Sequence, residues 1–111
     1  MIYKHNGVTK EFHQKEFTDL IYRLVNVNVV TVDDEDLEEI GDNEYLVRWK
    51  ERRKCIAYFS IYADEKAFEN RVVPLGTIQI EFDYTSGTDL VTQAYVAIVS
   101  HEDLGGGELI Q

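Results

Sequence analysis

The chain has little of three things that constrain or extend small proteins: cysteine, proline and long apolar runs. Cys55 is the only cysteine among 111 residues, so no disulfide can form within the chain, which is typical of a reducing compartment. Apolar neighbours predict that Cys55 is a core residue and not a reactive thiol. No apolar run could cross a bilayer, and the first residues lack a secretion signal. We therefore expect a cytoplasmic protein with no membrane partner.

Positive charge is also scarce. Eleven Lys and Arg residues stand against 21 Asp and Glu residues, which gives a formal net charge of −10. No Lys or Arg follows Arg71, so the last third of the chain carries acids alone. Such a charge argues against direct nucleic-acid binding and favours fast association with a basic protein partner.

The charges are segregated along the chain. Residues 33–44 contain no base and eight acids, which are Asp33, Asp34, Glu35, Asp36, Glu38, Glu39, Asp42 and Glu44. A basic segment follows, with Arg48, Lys50, Arg52, Arg53 and Lys54. The acids therefore form a local block that a cationic partner could recognise, while the bases form a second and opposite candidate surface.

Composition and patterning predict an α+β fold. Residues 1–104 are expected to form one domain, and residues 105–111, which begin with three glycines, a flexible tail that could also pair with a sheet edge. The expected architecture is a single antiparallel sheet of about five strands, one principal amphipathic helix and a short acidic helix. Outward apolar residues such as Ile56 and Tyr58 suggest that the second sheet face is partly covered, which a homodimer could do.

Apolar spacing locates the expected helices. Phe17, Leu20, Ile21 and Leu24 recur at helical intervals, which predicts the principal helix near residues 12–25. Asp33 could cap the short acidic helix, which would end at Gly41. A third short helix or an ordered loop is expected over residues 64–70.

Alternating residues locate the expected strands. Valines over residues 25–32 change phase once, which predicts a strand with a bulge. Further strands are expected at Glu44–Lys50, Lys54–Tyr62, Thr77–Tyr84 and Leu90–Ser100, with a turn at residues 51–53. Asn6-Gly7 predicts a hairpin between strands at Ile2–Lys4 and Val8–Lys10, unless Thr9 caps the following helix. Trp49 should lie on the face opposite Arg48 and Lys50.

Metal and catalytic motifs are absent from the sequence. The acidic block does not fit a calcium loop, because starting at Asp36 puts Ile40 and Val47 at ligand positions 5 and 12. The three histidines, His5, His13 and His101, lack the spacing of a zinc site. We expect no cofactor.

These features favour a non-enzymatic acidic binding protein that occludes a cationic partner, such as a nuclease or another nucleic-acid-binding protein. An immunity protein or a phage-borne inhibitor of a host defence enzyme would fit, with the acidic block as the partner-binding site. One alternative is a nucleic-acid or nucleotide binder that uses the basic segment 48–54. Another is a small hydrolase or metal-dependent enzyme that uses His101, Glu102 or His13.

Overall fold

Antiparallel strands dominate the computed structural model, which describes residues 1–111. The elements are β1 (Ile2–Lys4), β2 (Thr9–Phe12), β3 (Lys15–Thr18), β4 (Ile21–Gly41), β5 (Glu44–Tyr62), α1 (Glu65–Glu69), β6 (Gly76–Asp83), α2 (Leu90–Val99) and β7 (Glu108–Ile110). Five strands form the main sheet in the order β6-β5-β4-β1-β7, and β2 and β3 form a separate hairpin. The predicted α+β class and five-stranded antiparallel sheet are confirmed.

Several elements lie where the sequence pattern predicted them. β6 covers nearly the predicted strand, and α1 takes the helical option for its segment. The predicted strand over residues 25–32 lies within β4. The bulge of this strand lies elsewhere than predicted: the register between β4 and β5 shifts between Leu24 and Asn26, whereas pairing is regular at Val29 and Val30, where the valines change phase. Alternating β-branched residues therefore suffice to predict the strands, and the Asp64 cap suffices to predict α1.

The principal helix predicted near residues 12–25 is wrong. This segment holds the end of β2, all of β3 and the start of β4. His13 and Gln14 have φ angles of 52° and 65°, which suit a two-residue type I′ hairpin turn and interrupt any helix. Ile21 and Tyr22 are adjacent and both buried, so the strand is covered on both faces there. Four apolar residues at helical spacing fit such a segment equally well.

The predicted Asn6-Gly7 hairpin is also wrong. Strands occur on both sides of this dipeptide, but β1 pairs with β4 and β7, while β2 pairs with β3. Gly7 has a φ of 72°, whereas Asn6 has no positive φ, so the type I′ geometry is not reached. The Gly7 N–H instead donates to Asp19 Oδ1 at 2.6 Å.

The short acidic helix and the turn at residues 51–53 are two further corrections. Residues 33–41 continue β4, and residues 51–53 continue β5, so the two strands form one long hairpin. A helix would place Asp34 beside Glu38 and Glu35 beside Glu39, where like charges repel. Strand pairing instead places two of these acids, Asp34 and Asp36, across from the basic residues Lys50 and Arg48 of β5.

The strand predicted at Leu90–Ser100 is wrong, because this segment is α2. Asp89 caps the helix: its side chain accepts hydrogen bonds from the Thr92 N–H at 2.9 Å and the Thr92 hydroxyl at 2.7 Å. Ala94, Tyr95 and Ile98 are buried on its inner side. The principal helix therefore exists, but it comes from the second half of the chain and packs on β4, β6 and β1.

The hydrophobic core lies between α2 and one face of the sheet. Phe59 and Tyr95 meet there edge to face, with ring centroids 5.6 Å apart. The other core residues are Tyr3, Leu20, Tyr22, Ala57, Ile61, Ile80, Ala94, Ile98 and Leu104. No residue between 23 and 54 is buried. The core therefore involves the first residues of β4 and the last residues of β5. The rest of both strands, toward the turn that joins them, lies outside the core.

The C-terminal tail, expected to be flexible, ends in β7, which pairs with β1 at the sheet edge. Gly107 allows this close approach, since a side chain there would overlap the Lys4 carbonyl oxygen and the Tyr3 ring. The Gly107 N–H donates to the Tyr3 hydroxyl at 2.8 Å, and that hydroxyl donates to the Leu104 carbonyl oxygen. The sheet-edge option for the tail is therefore the one that the structure shows.

Candidate binding arm

The distal parts of β4 and β5 form a two-stranded projection, residues 30–54, which we call the arm. β6 accompanies β5 only as far as Lys54, and β1 accompanies β4 only as far as Tyr22. The molecule measures 62 × 33 × 23 Å, so its long dimension is about twice the next. The arm therefore exposes both faces and both edges to solvent.

The register of the hairpin divides the acidic block between two faces. Residues directly opposite one another in an antiparallel pair lie on the same face. Asp34 lies opposite Lys50, and Asp36 lies opposite Arg48. Asp33, by contrast, lies opposite Glu51. Neighbouring acids in the sequence therefore have different electrostatic surroundings, which depend on whether their residue number is odd or even.

On one face, cations and carboxylates form salt bridges, and we call it the paired face. It carries Asp34, Asp36, Glu38, Arg48, Lys50 and Arg52. Arg48 Nε lies 2.8 Å from Glu38 Oε2, and Arg52 Nε lies 2.9 Å from Asp34 Oδ2. At the base of the arm, the Arg52 guanidinium also contacts Asp83 Oδ1 at 2.8 Å. The acids of this face are therefore largely compensated within the chain.

Titration behaviour reflects the same contacts. The Asp34 carboxylate, together with the hydrogen bond to Asp83, raises the pKa of the Arg52 guanidinium. Lys54 forms a salt bridge with Glu81 of β6, and this hydrogen bond lowers the pKa of the Glu81 carboxyl. Both directions are those expected when an opposite charge stabilises the ionised form.

The opposite face, which we call the aromatic face, combines exposed apolar side chains with uncompensated acids. Over residues 33–51 it carries Asp33, Glu35, Leu37, Glu39, Tyr45, Val47, Trp49 and Glu51, and Arg53 follows on the same face at the base of the arm. Trp49 is 68% exposed, Leu37 58% and Tyr45 57%. None of its four carboxylates forms a salt bridge, and two of them, Asp33 and Glu51, face each other directly. Like charges in this position destabilise a hairpin, so the isolated arm retains an unfavourable arrangement.

Two of the predicted acids lie at the tip of the arm. Asp42 and Asn43 connect the strands, and Asn43 has a φ of 60°, a conformation that Asn tolerates in turns. Gly41 pairs with Glu44 at the end of the ladder. Ile40, next to this tip, is 60% exposed. Asp42 and Glu44 therefore extend the acidic surface to the most distant point of the molecule.

The alternative basic site loses much of its free charge to internal contacts. Arg48, Arg52 and Lys54 are held in salt bridges, and Lys50 lies opposite Asp34. The Arg53 guanidinium lies over the Tyr84 ring, 5.7 Å from its centroid. As strand alternation predicted, Trp49 projects from the face opposite Arg48 and Lys50, so stacking and phosphate contacts do not converge.

The histidines do not form a shared site. His13 Nε2 lies 3.3 Å from the Leu75 carbonyl oxygen, and His101 Nδ1 accepts from the Asp103 N–H at 3.1 Å. His5 is buried in the core. No group of three or more His, Cys, Asp or Glu side chains is positioned to hold a metal ion. The polar cluster at His101 is therefore a local turn contact in this structure.

The predicted site comprises all eight acids and does not include the apolar part of this surface. The signal is present in the sequence, because Tyr45, Val47 and Trp49 alternate with other residues and share one face of a strand, but alternation does not distinguish a buried face from an exposed one. Only the length of the hairpin beyond β6 shows that these residues are exposed.

Comparisons with protein-family models, with curated proteins and with solved structures found no match to this chain. Neither helix has the length and apolar character required to cross a membrane.

Proposed function

We propose that this protein is a non-enzymatic binding protein whose arm engages a basic partner protein through the aromatic face. The observation that carries the proposal is the contrast between the two faces. Two of the three acids of the paired face form salt bridges and the third lies opposite Arg48, whereas the aromatic face keeps four carboxylates without a salt bridge around exposed Trp49, Tyr45 and Leu37. A cationic surface of a partner would supply the missing counter-charges.

The chemistry of the aromatic face suits an interface. Trp and Tyr side chains supply most of the binding energy in many protein complexes, and Lys or Arg of a partner can stack on their rings. Carboxylates around them increase the association rate with a basic surface and help to select it. A narrow projection reaches into grooves, and a groove that binds nucleic acid is cationic. The proposed partner is therefore a nuclease or another nucleic-acid-binding protein, which the arm would occlude, as an immunity protein or a phage-borne inhibitor of host defence does.

Two triple variants distinguish the effect of charge on the aromatic face from the effect of the net charge of the protein. The first, Asp33→Lys with Glu35→Lys and Glu39→Lys, reverses the aromatic face. The second, Glu11→Lys with Glu16→Lys and Glu102→Lys, reverses exposed acids away from the arm. Each reversal adds two positive charges, so both variants change the net charge from −10 to −4.

The variants and the wild-type protein are used to capture partners from the native host lysate, with washes at low and high salt. We expect the wild type and the second variant to recover the same basic protein, and the first variant to lose it. We then measure whether the wild-type protein inhibits the nucleic-acid binding or cleavage of the recovered partner. Trp49→Ala should weaken this inhibition. Equal recovery by both variants would refute a role for the aromatic face. Direct binding of nucleic acid by the purified protein at low salt would instead favour the basic segment 48–54.

A further inference from the structure

The edge of the arm suggests how the partner binds. We propose that an extended basic segment of the partner adds as a β-strand to the free edge of β4. This inference rests on the proposed function and specifies the binding mode of the same arm.

β4 has a long edge without a neighbouring strand. β1 pairs only with Ile21 and Tyr22, and the Tyr95 hydroxyl then accepts the Leu24 N–H at 3.0 Å. Beyond the bulge at Val25, β4 pairs with β5 on one side and with no strand on the other. A free strand edge exposes a row of backbone donors and acceptors that an extended peptide can pair with.

Two hydrogen bonds show which backbone groups point toward this free edge. The His5 N–H donates to the Leu20 carbonyl oxygen at 2.9 Å, and the Leu24 N–H donates to Tyr95. Backbone groups alternate between the two sides of a strand, and the extra residue of a bulge shifts that alternation by one. Odd-numbered residues from Val27 to Glu39 therefore direct their N–H and C=O groups outward. Their side chains are those that β4 contributes to the aromatic face.

Charge selects the occupant of this edge. Six of the seven residues from 33 to 39 are acidic. A second copy of this chain pairing there in antiparallel orientation would place acids against acids, which is destabilising. A strand rich in Lys or Arg would place cations opposite acids on both faces. The free edge of β5 suits such a strand less, since Arg48, Lys50 and Arg52 lie along it.

A peptide pair tests strand addition apart from simple charge attraction. The probe is a short peptide of alternating lysine and valine. Its control is the same peptide N-methylated at two adjacent central residues, which removes one backbone donor on each edge and keeps every charge and side chain. We expect the probe to bind the wild-type protein at physiological salt about tenfold more tightly than the control, because the methylated edge that faces β4 loses one backbone hydrogen bond and its methyl group blocks close approach. Equal affinities, or no binding of the probe, would overturn strand addition.

Two protein-side measurements locate the peptide. Amide exchange should slow at Asp33, Glu35 and Leu37 on binding, and remain unchanged at Asp34 and Asp36, whose backbone groups already face β5. Leu37→Pro removes an outward N–H without a change in charge, and proline is tolerated at a free edge. Leu37→Pro should weaken binding of the probe more than Leu37→Ala does, because both variants lose the leucine side chain and only the proline variant loses the N–H. Protection only at the edge of β5 would contradict the assignment.

The proposed function is tested independently by the two triple variants. If capture of the basic partner depends on the aromatic face while the two peptides bind equally, strand addition fails and the proposed function stands. If the peptides differ but capture is unaffected, the edge pairs with basic strands and the proposed function fails.

Discussion

Asp33 and Asp34 are neighbours in the chain, but their carboxylates have different electrostatic surroundings. Asp34 contacts Arg52 at 2.9 Å, whereas Asp33 lies opposite Glu51 and forms no salt bridge. Successive side chains of a strand point to opposite faces, so one step along the chain changes a compensated charge into an uncompensated one. At the scale of single residues, the side of the strand therefore matters more than the acidity of the segment.

Tyr95 fixes α2 to the bulge of β4 through its hydroxyl, which accepts from the Leu24 N–H and donates to the Met1 carbonyl oxygen at 2.8 Å. Tyr95→Phe keeps the ring in the core but leaves both backbone groups without this partner. We expect the free energy of unfolding to fall by about 1–3 kcal/mol, the usual cost of an unsatisfied buried group. Urea denaturation measures it. Tyr58→Phe, at an exposed side chain without such bonds, is the control and should leave stability unchanged.

His5 is the buried histidine of the core, 2% exposed, and its Nδ1 has no hydrogen-bond partner. Burial first, and the charge of Lys10 second, lower the pKa of His5, against a backbone hydrogen bond with Gly105. The unfolded chain therefore takes up this proton at a higher pH than the folded chain does. Stability is fully present above the unfolded pKa of about 6.5 and declines as the pH falls through it toward the folded value.

The consequence is measurable by denaturation at pH 7.5 and pH 5. We expect wild-type protein to lose stability between these values, and His5→Gln to lose less, since glutamine does not titrate. An identical loss in both proteins would assign the effect to other groups.

At the scale of elements, α2 shows how a cap decides between two structures with similar apolar content. Its residues alternate well enough to predict a strand, but Asp89 satisfies the first free N–H groups of a helix. Hydrogen bonds from Thr92 lower the pKa of the Asp89 carboxyl. The cap therefore contributes stability above the ordinary Asp pKa, and this contribution is lost as the pH falls through the lowered value.

Two substitutions of Asp89 should distinguish the effect of its capping hydrogen bond from the effect of its negative charge. We expect Asp89→Ala to lower the unfolding midpoint at neutral pH, and Asp89→Asn, whose side-chain oxygen can still accept, to remain close to wild type. Thermal unfolding followed by circular dichroism provides the measurement. Asp103→Ala, at an exposed site outside the helix, controls for charge. Equal effects of the Ala and Asn variants would mean that charge, and not the hydrogen bond, stabilises α2.

At the scale of the whole molecule, the arm makes the protein much more extended than its length requires. The radius of gyration is 18.7 Å, against about 13 Å for an ordinary domain of this size. No buried residue lies in the arm. An isolated two-stranded hairpin is marginally stable, and the arm owes its order to the ladder that continues from the rest of the molecule, which we call the body. The body therefore supplies the stability of the fold, and the arm is exposed for contact with a partner.

Removal of the arm should leave a folded body. Replacing residues 33–51 with Asn-Gly joins Val32 to Arg52, a cross-strand pair, through a turn that favours hairpins. We expect the shortened protein to unfold cooperatively in urea, with a free energy of unfolding close to that of the wild type. Its radius of gyration by small-angle X-ray scattering should be about 13 Å, and it should not capture the basic partner. A shortened protein that is unfolded would show that the arm contributes to the core.

Sequence alone determined the composition and patterning of this protein. The charge segregation, the α+β class, β6 and the strand over residues 25–32 follow from residue counts and short alternation, as does the position of Trp49 on the other face of β5 from Arg48. The position of the bulge in β4 does not. Tertiary structure decided the segments that fit two periods: residues 12–25, 33–41 and 90–99. Four or five apolar residues suit a helix or a strand, and only long-range pairing and capping distinguish them. The candidate site also depends on the cross-strand register, because Asp34 is neutralised by Arg52 and Asp33 faces Glu51 only once β4 and β5 are aligned.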